Sequence, residues 1–448
     1  MSAAAVPDAP ANALPVIPRS QIVSWALWDW AYSAFNAVAT TFVFTRYLTS
    51  SSFGDPNHNS ALLGWFLGVS AALIALIAPV AGQRTDASGR RKLWLAINSG
   101  VVGLCLLATV FVKDTPAYLW LGLLAISIGT IFYEFASVSY NAMLRQVSTP
   151  ATVGKVSAFG WSMGYFGGIV LMIIVYVLFI VGSGSHVGLL HVPTAGGWYV
   201  RLTMLVATAW AVGFSIPILI AVKEPKVPTE IAAERTSFLG SYRVLFHSLS
   251  TLWRESRNTV WFLLASAIFR DGLTGVFTFG GILAGVTFGF STSEVLVFGI
   301  AANVTAGIAT VSVGALDDRI GPKPLIVTSL AGMIVCALVL FFLHGDGKTV
   351  FWIFGLILSL FVGPAQSASR TFLSRVIPDG REGEVFGLYA TTGRAATFLA
   401  PVLFSLFITI GGKQVWGILG ITIVLVVGLA VLIPVKPVVE KAVIRKGA

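Results

Sequence analysis

Gly82-Gln-Arg-Thr-Asp86-Ala-Ser-Gly89-Arg90-Arg91-Lys92 and Gly314-Ala-Leu-Asp-Asp318-Arg319-Ile-Gly321-Pro-Lys323 are two copies of one pattern: Gly, three residues, Asp, two residues, Gly, then basic residues. The copies start 232 positions apart in a chain of 448, about half its length. Each copy is a short polar turn between two long apolar runs. One match of this kind is weak. Two, at corresponding places, indicate a chain made of two similar halves.

Outward from these turns the sequence resolves into twelve apolar stretches, at about 24–48, 60–82, 92–112, 117–143, 155–181, 199–222, 259–289, 293–315, 323–343, 349–374, 384–410 and 414–434. Hydrophobic residues make up 56% of the chain and charged residues only 11%, against about a quarter charged in soluble domains. Lipid is the solvent that fits, and in lipid each spanning segment must satisfy its own backbone. Barrel strands alternate apolar and polar over about 10 residues. These runs are unbroken for about 20, the length of a spanning helix. The expected fold is an all-α membrane protein with twelve transmembrane helices in two pseudo-symmetric six-helix bundles, 24–222 and 259–434.

The remaining segments are polar. Residues 1–23, rich in Ala and Pro, are expected to be a disordered cytoplasmic tail and not a signal peptide. Residues 435–448 form a second cytoplasmic tail, and 223–258 connect the bundles. In the connector Phe238, Leu239, Tyr242, Leu245, Phe246, Leu249, Leu252 and Trp253 recur at three- and four-residue steps. That stripe predicts an amphipathic helix, either lying on the membrane or packed against the bundle end.

Lys and Arg set the orientation. With the N-terminus in the cytoplasm, 22 of the 29 basic residues fall on the cytoplasmic side and 5 opposite, leaving Arg270 and Arg394 inside spans. Both termini are therefore expected in the cytoplasm, most simply across a bacterial plasma membrane. The net charge of +10 follows from this topology and calls for no nucleic acid. The lipid bilayer and a small-molecule substrate are the partners expected of a monomer.

No enzyme chemistry stands out. Cys105 and Cys336 lie singly in apolar runs, which speaks against a disulfide framework or a metal site. There is no metal-binding His pair and no serine nucleophile elbow. Gly347-Lys348-Thr349 has the end of a phosphate loop, but Phe342 stands where its first Gly belongs. No cofactor is expected, and ATP-driven pumping would need another subunit.

The two turns have a chemistry of their own. Gly82, Gly89, Gly314 and Gly321 allow close helix approach. Asp86 and Asp318 can cap a neighbouring helix or hold an arginine, and Arg90, Arg91, Arg319 and Lys323 anchor the turn at one face. Together they form a conformational latch or, more simply, two tight positive turns.

This motif at this place resembles the signature of the major facilitator superfamily, over nearly the whole chain. Arg84 stands where that family usually has an apolar residue, Ala87 where it often has Arg, and Pro322 interrupts the second basic run. A narrower resemblance rests on Trp25-Ala-Leu-Trp28-Asp29-Trp30-Ala-Tyr32-Ser33-Ala-Phe35, Phe159-Gly160-Trp161, Arg270-Asp271-Gly272, Gly363-Pro364-Ala-Gln366 and Ile377-Pro378-Asp379-Gly380-Arg381-Glu382. These look like the autophagy-related vacuolar amino-acid exporters and their bacterial relatives, which often have Tyr and Asn at the positions of Trp28 and Tyr32. The resemblance implies export or exchange of amino acids or similar metabolites by alternating access. It also implies that spans 1, 4, 7 and 10 line the path.

Three of those four spans carry a carboxylate: Asp29, Glu134 and Asp271. Glu134, Arg270, Asp271 and Arg394 fall near mid-span and Asp29 nearer the cytoplasmic end of span 1; a charge at mid-membrane costs about 2.5–3.5 kcal/mol on insertion scales, so such groups pair or line a water-filled cavity. Arg270 and Asp271 are adjacent and point about 100° apart on a helix. Glu134 is expected to pair with Arg270 or Arg394. A carboxylate kept from water can carry a proton, so proton coupling through Glu134 or Asp271 is expected, unless these charges only lock helices together. Asn36, Asn141, Gln366, Trp28 and Tyr133 complete the candidate substrate and coupling set.

Gly160, Gly164 and Gly168 on span 5, and Ala302, Ala306, Thr310 and Gly314 on span 8, are expected to form smooth surfaces where the halves slide, or ordinary membrane packing. Pro217, Pro364 and Pro401 should kink their spans. Two functional readings share this fold: a secondary transporter of a small polar metabolite, and a multidrug or lipid exporter suggested by the aromatic content. A membrane enzyme or receptor fits the two-half repeat poorly.

Overall fold

The computed structural model describes residues 17–88, 90–148, 153–223, 238–377 and 382–436. Among them ten helical stretches are long and apolar enough to cross a membrane. Large apolar side chains cover their outer faces: Leu104 is 66% and Ile220 76% exposed. An apolar surface this extensive is at home in lipid, not water. The molecule is a helical, multi-pass integral membrane protein.

Before the connector, α1 (Arg19–Ser33), α2 (Phe44–Leu48), α3 (Pro56–Ser88), α4 (Arg91–Thr109), α5 (Leu119–Met143), α6 (Val153–Val175) and α7 (Trp198–Ala221) follow in order. The connector holds α8 (Phe238–Glu255). After it come α9 (Arg257–Val286), α10 (Thr292–Ile320), α11 (Pro322–Phe342), α12 (Lys348–Val376), α13 (Glu382–Ala396), α14 (Leu399–Gly411) and α15 (Trp416–Leu432). In the first group α1 packs on α6 and α7, and α4 on α5 and α7. In the second α9 packs on α13 and α15, and α12 on α10 and α11.

The first apolar stretch was expected as one helix and is interrupted. Between α1 and α2 the backbone winds as a π-helix, Ala34–Phe42. A π turn loosens the normal hydrogen-bond ladder and is often found at functional sites. Here Thr40 and Thr41 repair it locally: both hydroxyls donate to the Asn36 carbonyl, at 2.8 and 2.7 Å.

The eleventh stretch breaks between α13 and α14. Pro401 lacks an N–H, and its ring crowds the carbonyl four residues earlier, which is Thr397, at the break. A further unpredicted element is a small hairpin before α7. Val187 pairs with Val192 and His186 with Pro193. Its turn needs Gly188, at φ +71°, because a Cβ there would overlap the Leu178 carbonyl.

Residues 224–237 and both chain ends lie outside the described residues. Within the connector, α8 sits against α3 and α9. The Tyr242 hydroxyl donates to the Leu76 carbonyl and Leu252 is fully buried, while Phe246 stays 65% exposed. The apolar stripe is therefore shared between the bundle and its surroundings.

The repeated motif marks one end of the bundle. Gly82 and Asp86 lie on α3, and Gly314, Asp318 and Arg319 on α10; their side chains, and Gly89 altogether, lie outside the described residues. The described basic residues reach the C-terminal ends of other helices. Arg91 Nη1 donates to the Ala142 carbonyl at 3.1 Å. Lys323 Nζ donates to the carbonyls of Ile433 and Val435 at 2.7 and 2.6 Å. Cations at such ends meet the negative pole of the helix and its unpaired carbonyls. Arg90, just before α4, is exposed.

Candidate functional site

Trp25, Trp28, Tyr32 and Phe35 share one face of the first span because they recur at three- and four-residue steps. Tyr133 and Tyr140, two turns apart on α5, present a second aromatic face. The two faces form one pile. Trp25 stacks on Tyr140 at 4.5 Å, Tyr140 on Trp28 at 4.4 Å and Trp28 on Tyr32 at 4.4 Å. Tyr133 continues it, 5.7 Å from Tyr32 and 5.6 Å from Phe35.

Each polar tip in the pile is bonded, as buried polar groups require. Trp28 Nε1 donates to Ser99 Oγ at 3.2 Å, and the Tyr32 hydroxyl to the Ser99 carbonyl at 3.0 Å. Trp25 Nε1 donates to the Tyr140 carbonyl at 3.1 Å. The Tyr140 hydroxyl donates to Asp29 Oδ2 at 2.8 Å, so the pile ends on a carboxylate. Trp28 is 1% exposed and does not reach the open space beside it.

That space is a cavity of about 250 Å³. Asp29, Ser33 and Asn36 line it from the first span, Tyr133 from α5, Gly164 and Gly168 from α6, Phe277 from α9 and Asn303 from α10. Asn36 Nδ2 donates to the Tyr133 hydroxyl at 2.8 Å. The cavity thus draws walls from helices on both sides of the connector. A smaller apolar cavity of about 70 Å³ among the later helices shares Phe42 and Phe277 with it.

The glycines of α6 face α1, not α10 as a sliding surface between halves would require. A Cβ on Gly160 would stand 2.6 Å from Trp25, and one on Gly167 2.7 Å from the Trp30 carbonyl. Gly164 and Gly168 lie next to Asp29 and Ser33. The wide rings of the first span need this bare helix face, which explains the spacing.

The remaining charged candidates sit on α5, α9 and α13. Of the two arginines expected to meet Glu134, Arg394 does so, with Nε 3.4 Å from Oε2. Arg270 lies over the Tyr389 ring, 4.1 Å from its centre, and Nη1 donates to the Tyr389 carbonyl at 3.4 Å. Asp271 points elsewhere. Its Oδ2 accepts the Ala400 N–H at 2.6 Å, capping α14 beyond the break, and it is 4% exposed. Asn141 bonds within its own helix, to Ser137. Gln366 is half-buried on α12, four residues before the exposed Arg370.

At the end away from the repeated motif the helices close together. A Cβ on Gly281 would stand 2.5 Å from the Thr41 carbonyl, and one on Gly299 2.7 Å from the Phe42 ring. Arg46 lies flat on Gly285. Beside them Gln414, 1% exposed, joins the start of α3 to the end of α9. Its N–H donates to Asn57 Oδ1 at 2.6 Å, its Nε2 to Ser60 Oγ at 2.9 Å and to the Ile282 carbonyl at 3.4 Å, and its Oε1 accepts from Thr287 at 2.6 Å.

Tyr140, Ser33, Thr41, Asn303 and Gln414 were not singled out in the sequence. Tyr140 had a signal, since it falls two turns after Tyr133 on the same face. Gln414, one polar residue in a short turn, had none.

The model of the family described as Vacuole effluxer Atg22 like matches residues 145–443. The chain belongs to this family. Among curated relatives, the uncharacterised MFS-type transporter YxiO of Bacillus subtilis is 26% identical over 416 residues, 91% of this Atg22-like chain and 93% of that protein. Autophagy-related protein 22 of Yarrowia lipolytica is 23% identical over 310 residues, 63% of this chain. The match spans only 50% of that longer protein. Among solved structures, a D-xylose-proton symporter superposes with a TM-score of 0.67 at 17% identity, covering 94% of this chain and 98% of the symporter. A bacterial homologue of the iron transporter ferroportin gives 0.62 at 14%, covering 93% and 97%. The Atg22-like chain has the fold of the major facilitator superfamily and is a transporter of that type.

Proposed function

We propose that the chain is a secondary active transporter that exports a small solute, an amino acid or related metabolite, by proton-coupled alternating access. The observation that carries this reading is the 250 Å³ cavity with Asp29 on its wall, placed beneath the close contacts of Thr41 with Gly281 and of Phe42 with Gly299. A chamber with polar side chains on its wall, shut at one end, is what alternating access requires of one of its states. In this reading the chain has twelve spans, the two stretches interrupted at residues 34–42 and 397–398 each counting once. They form bundles 24–222 and 259–434, joined by 223–258.

The excess of Lys and Arg at the motif end makes that end cytoplasmic, with both tails beside it. The protein works as a monomer in a bacterial plasma membrane and is not an enzyme. The repeated turns serve as the latch of the cytoplasmic end. Glu134 is the proton carrier, because its partner Arg394 lies on a helix from beyond the connector and the pair parts when the helices move. Asp271 suits that role less well, since its carboxylate holds the backbone of α14. The multidrug or lipid reading drew on aromatic content, and those rings are packed on one another.

Counterflow in proteoliposomes tests the proposal. Leucine or tyrosine inside should drive uptake of the labelled solute, faster with an imposed pH gradient. Glu134→Gln should keep exchange and lose the pH dependence. Uptake that ignores internal amino acids and pH alike would refute the reading.

A further inference from the structure

Arg270 and Arg394 lie on α9 and α13, near the middle of their spans. Glu134 is the one carboxylate that meets either of them among the described residues. The contact is loose: 3.4 Å, with side chains 25% and 31% exposed, where a close charge-assisted bond measures about 2.7–2.9 Å. Arg270 has weaker company still. Among the described residues it meets the ring and carbonyl of Tyr389. Asp271, next in sequence, is engaged by Ala400. An aromatic face offsets only part of the cost of removing a guanidinium from water.

The guanidiniums are also held in place. The Tyr389 hydroxyl and Ser369 Oγ are 2.8 Å apart, which fixes the ring under Arg270. Gly393 lies 2.9 Å, by its would-be Cβ, from Arg270 Nη1, so Arg270 lies alongside the residue that precedes Arg394. Two planar cations on packed helices α9 and α13, one stacked and one loosely paired, offer donors suited to a planar anion. Exposed Arg370 lies on α12 toward the motif end, where it can draw an anion inward.

We propose that Arg270 and Arg394 together receive the carboxylate of the transported solute, and that Glu134 is the stand-in anion that holds Arg394 while the site is empty. This rests on the transporter reading and narrows its substrate to small organic carboxylates, amino acids included. A dianion such as a phosphate ester is disfavoured, because the Glu134 carboxylate lies beside Arg394. Arrival of the substrate carboxylate releases Glu134, and no covalent step is involved.

Binding to the purified full-length protein, read by thermal shift and calorimetry, tests this with acetate, 4-methylpentanoate, leucine, tyrosine, citrate, phenyl phosphate and leucinamide. At least one monocarboxylate should bind, and leucinamide should not. Arg394→Gln should weaken the responding acid about ten-fold or more, as loss of a charged hydrogen-bond partner does. Glu134→Gln should tighten it several-fold by removing the competitor. A merely structural ion pair would lose affinity in both variants, and that result overturns the proposal. So does equal binding of leucine and leucinamide, preference for phenyl phosphate, or no binding by any carboxylate. Size-exclusion profiles establish that each variant is folded.

Failure of amino-acid counterflow with intact binding of another carboxylate rejects the amino-acid reading alone. Counterflow that accepts leucinamide as well as leucine rejects the carboxylate site alone.

Discussion

Asp29 on α1 and Asp271 on α9 are both largely withdrawn from solvent, yet their partners differ in kind. Asp29 takes one hydrogen bond from the Tyr140 hydroxyl and faces a cavity. Asp271 takes a backbone N–H from the first turn of α14 and faces protein. A side-chain donor can turn or part as the helices move; a backbone amide at a helix break cannot leave without reopening the break. The first arrangement suits a working group and the second a fixed joint, although both residues satisfy the same rule for acids inside membranes.

The comparison can be broken most forcefully at Trp28. Replacing it with Ala empties the centre of the aromatic pile on which Tyr140, and through it Asp29, depends. The expected loss is about 3–5 kcal/mol, seen as a lower melting temperature and a poor folded yield. If Trp28→Ala is nearly neutral, the pile does not position Asp29.

A smaller effect is expected at the joint. Asp271→Ala strands the Ala400 N–H and should cost about 1–3 kcal/mol. Asp271→Asn keeps an acceptor and should recover most of it, with transport largely retained in proteoliposomes. The least effect on stability is expected from Asp29→Asn, under about 1 kcal/mol, because a neutral hydrogen bond to Tyr140 survives. Transport should nevertheless fall. Reversal of the last two results, with Asp271→Asn inactive and Asp29→Asn active, would exchange the roles assigned to the two acids.

These distinctions were only partly legible in the sequence. The helical membrane architecture follows from long unbroken apolar runs and a motif repeated at half the chain length, which are properties of single segments. The position of the break in the eleventh stretch also had a local cause, Pro401. The π-helix at Ala34–Phe42 did not, because Thr40 and Thr41 favour it only once their hydroxyls find the Asn36 carbonyl. The choice of Arg394 over Arg270 for Glu134 depends on how three helices are rotated. So does the destination of the α6 glycines, which bear on α1. Such information lies in pairs of helices, and one helix read alone does not contain it.

Gln414 sits in a turn at the edge of the bundle, yet its four partners belong to two distant stretches of chain, 57–60 and 282–287. Every one of these bonds can be replaced, one for one, by a bond to water. Beneath it the Phe42 ring rests on Gly299 with no such substitute. Water entering from that side would therefore undo the rim gradually and then meet a dry step. In the proposed transport cycle that order would make the rim a readily reversed seal and leave the rate of opening to the aromatic plug below.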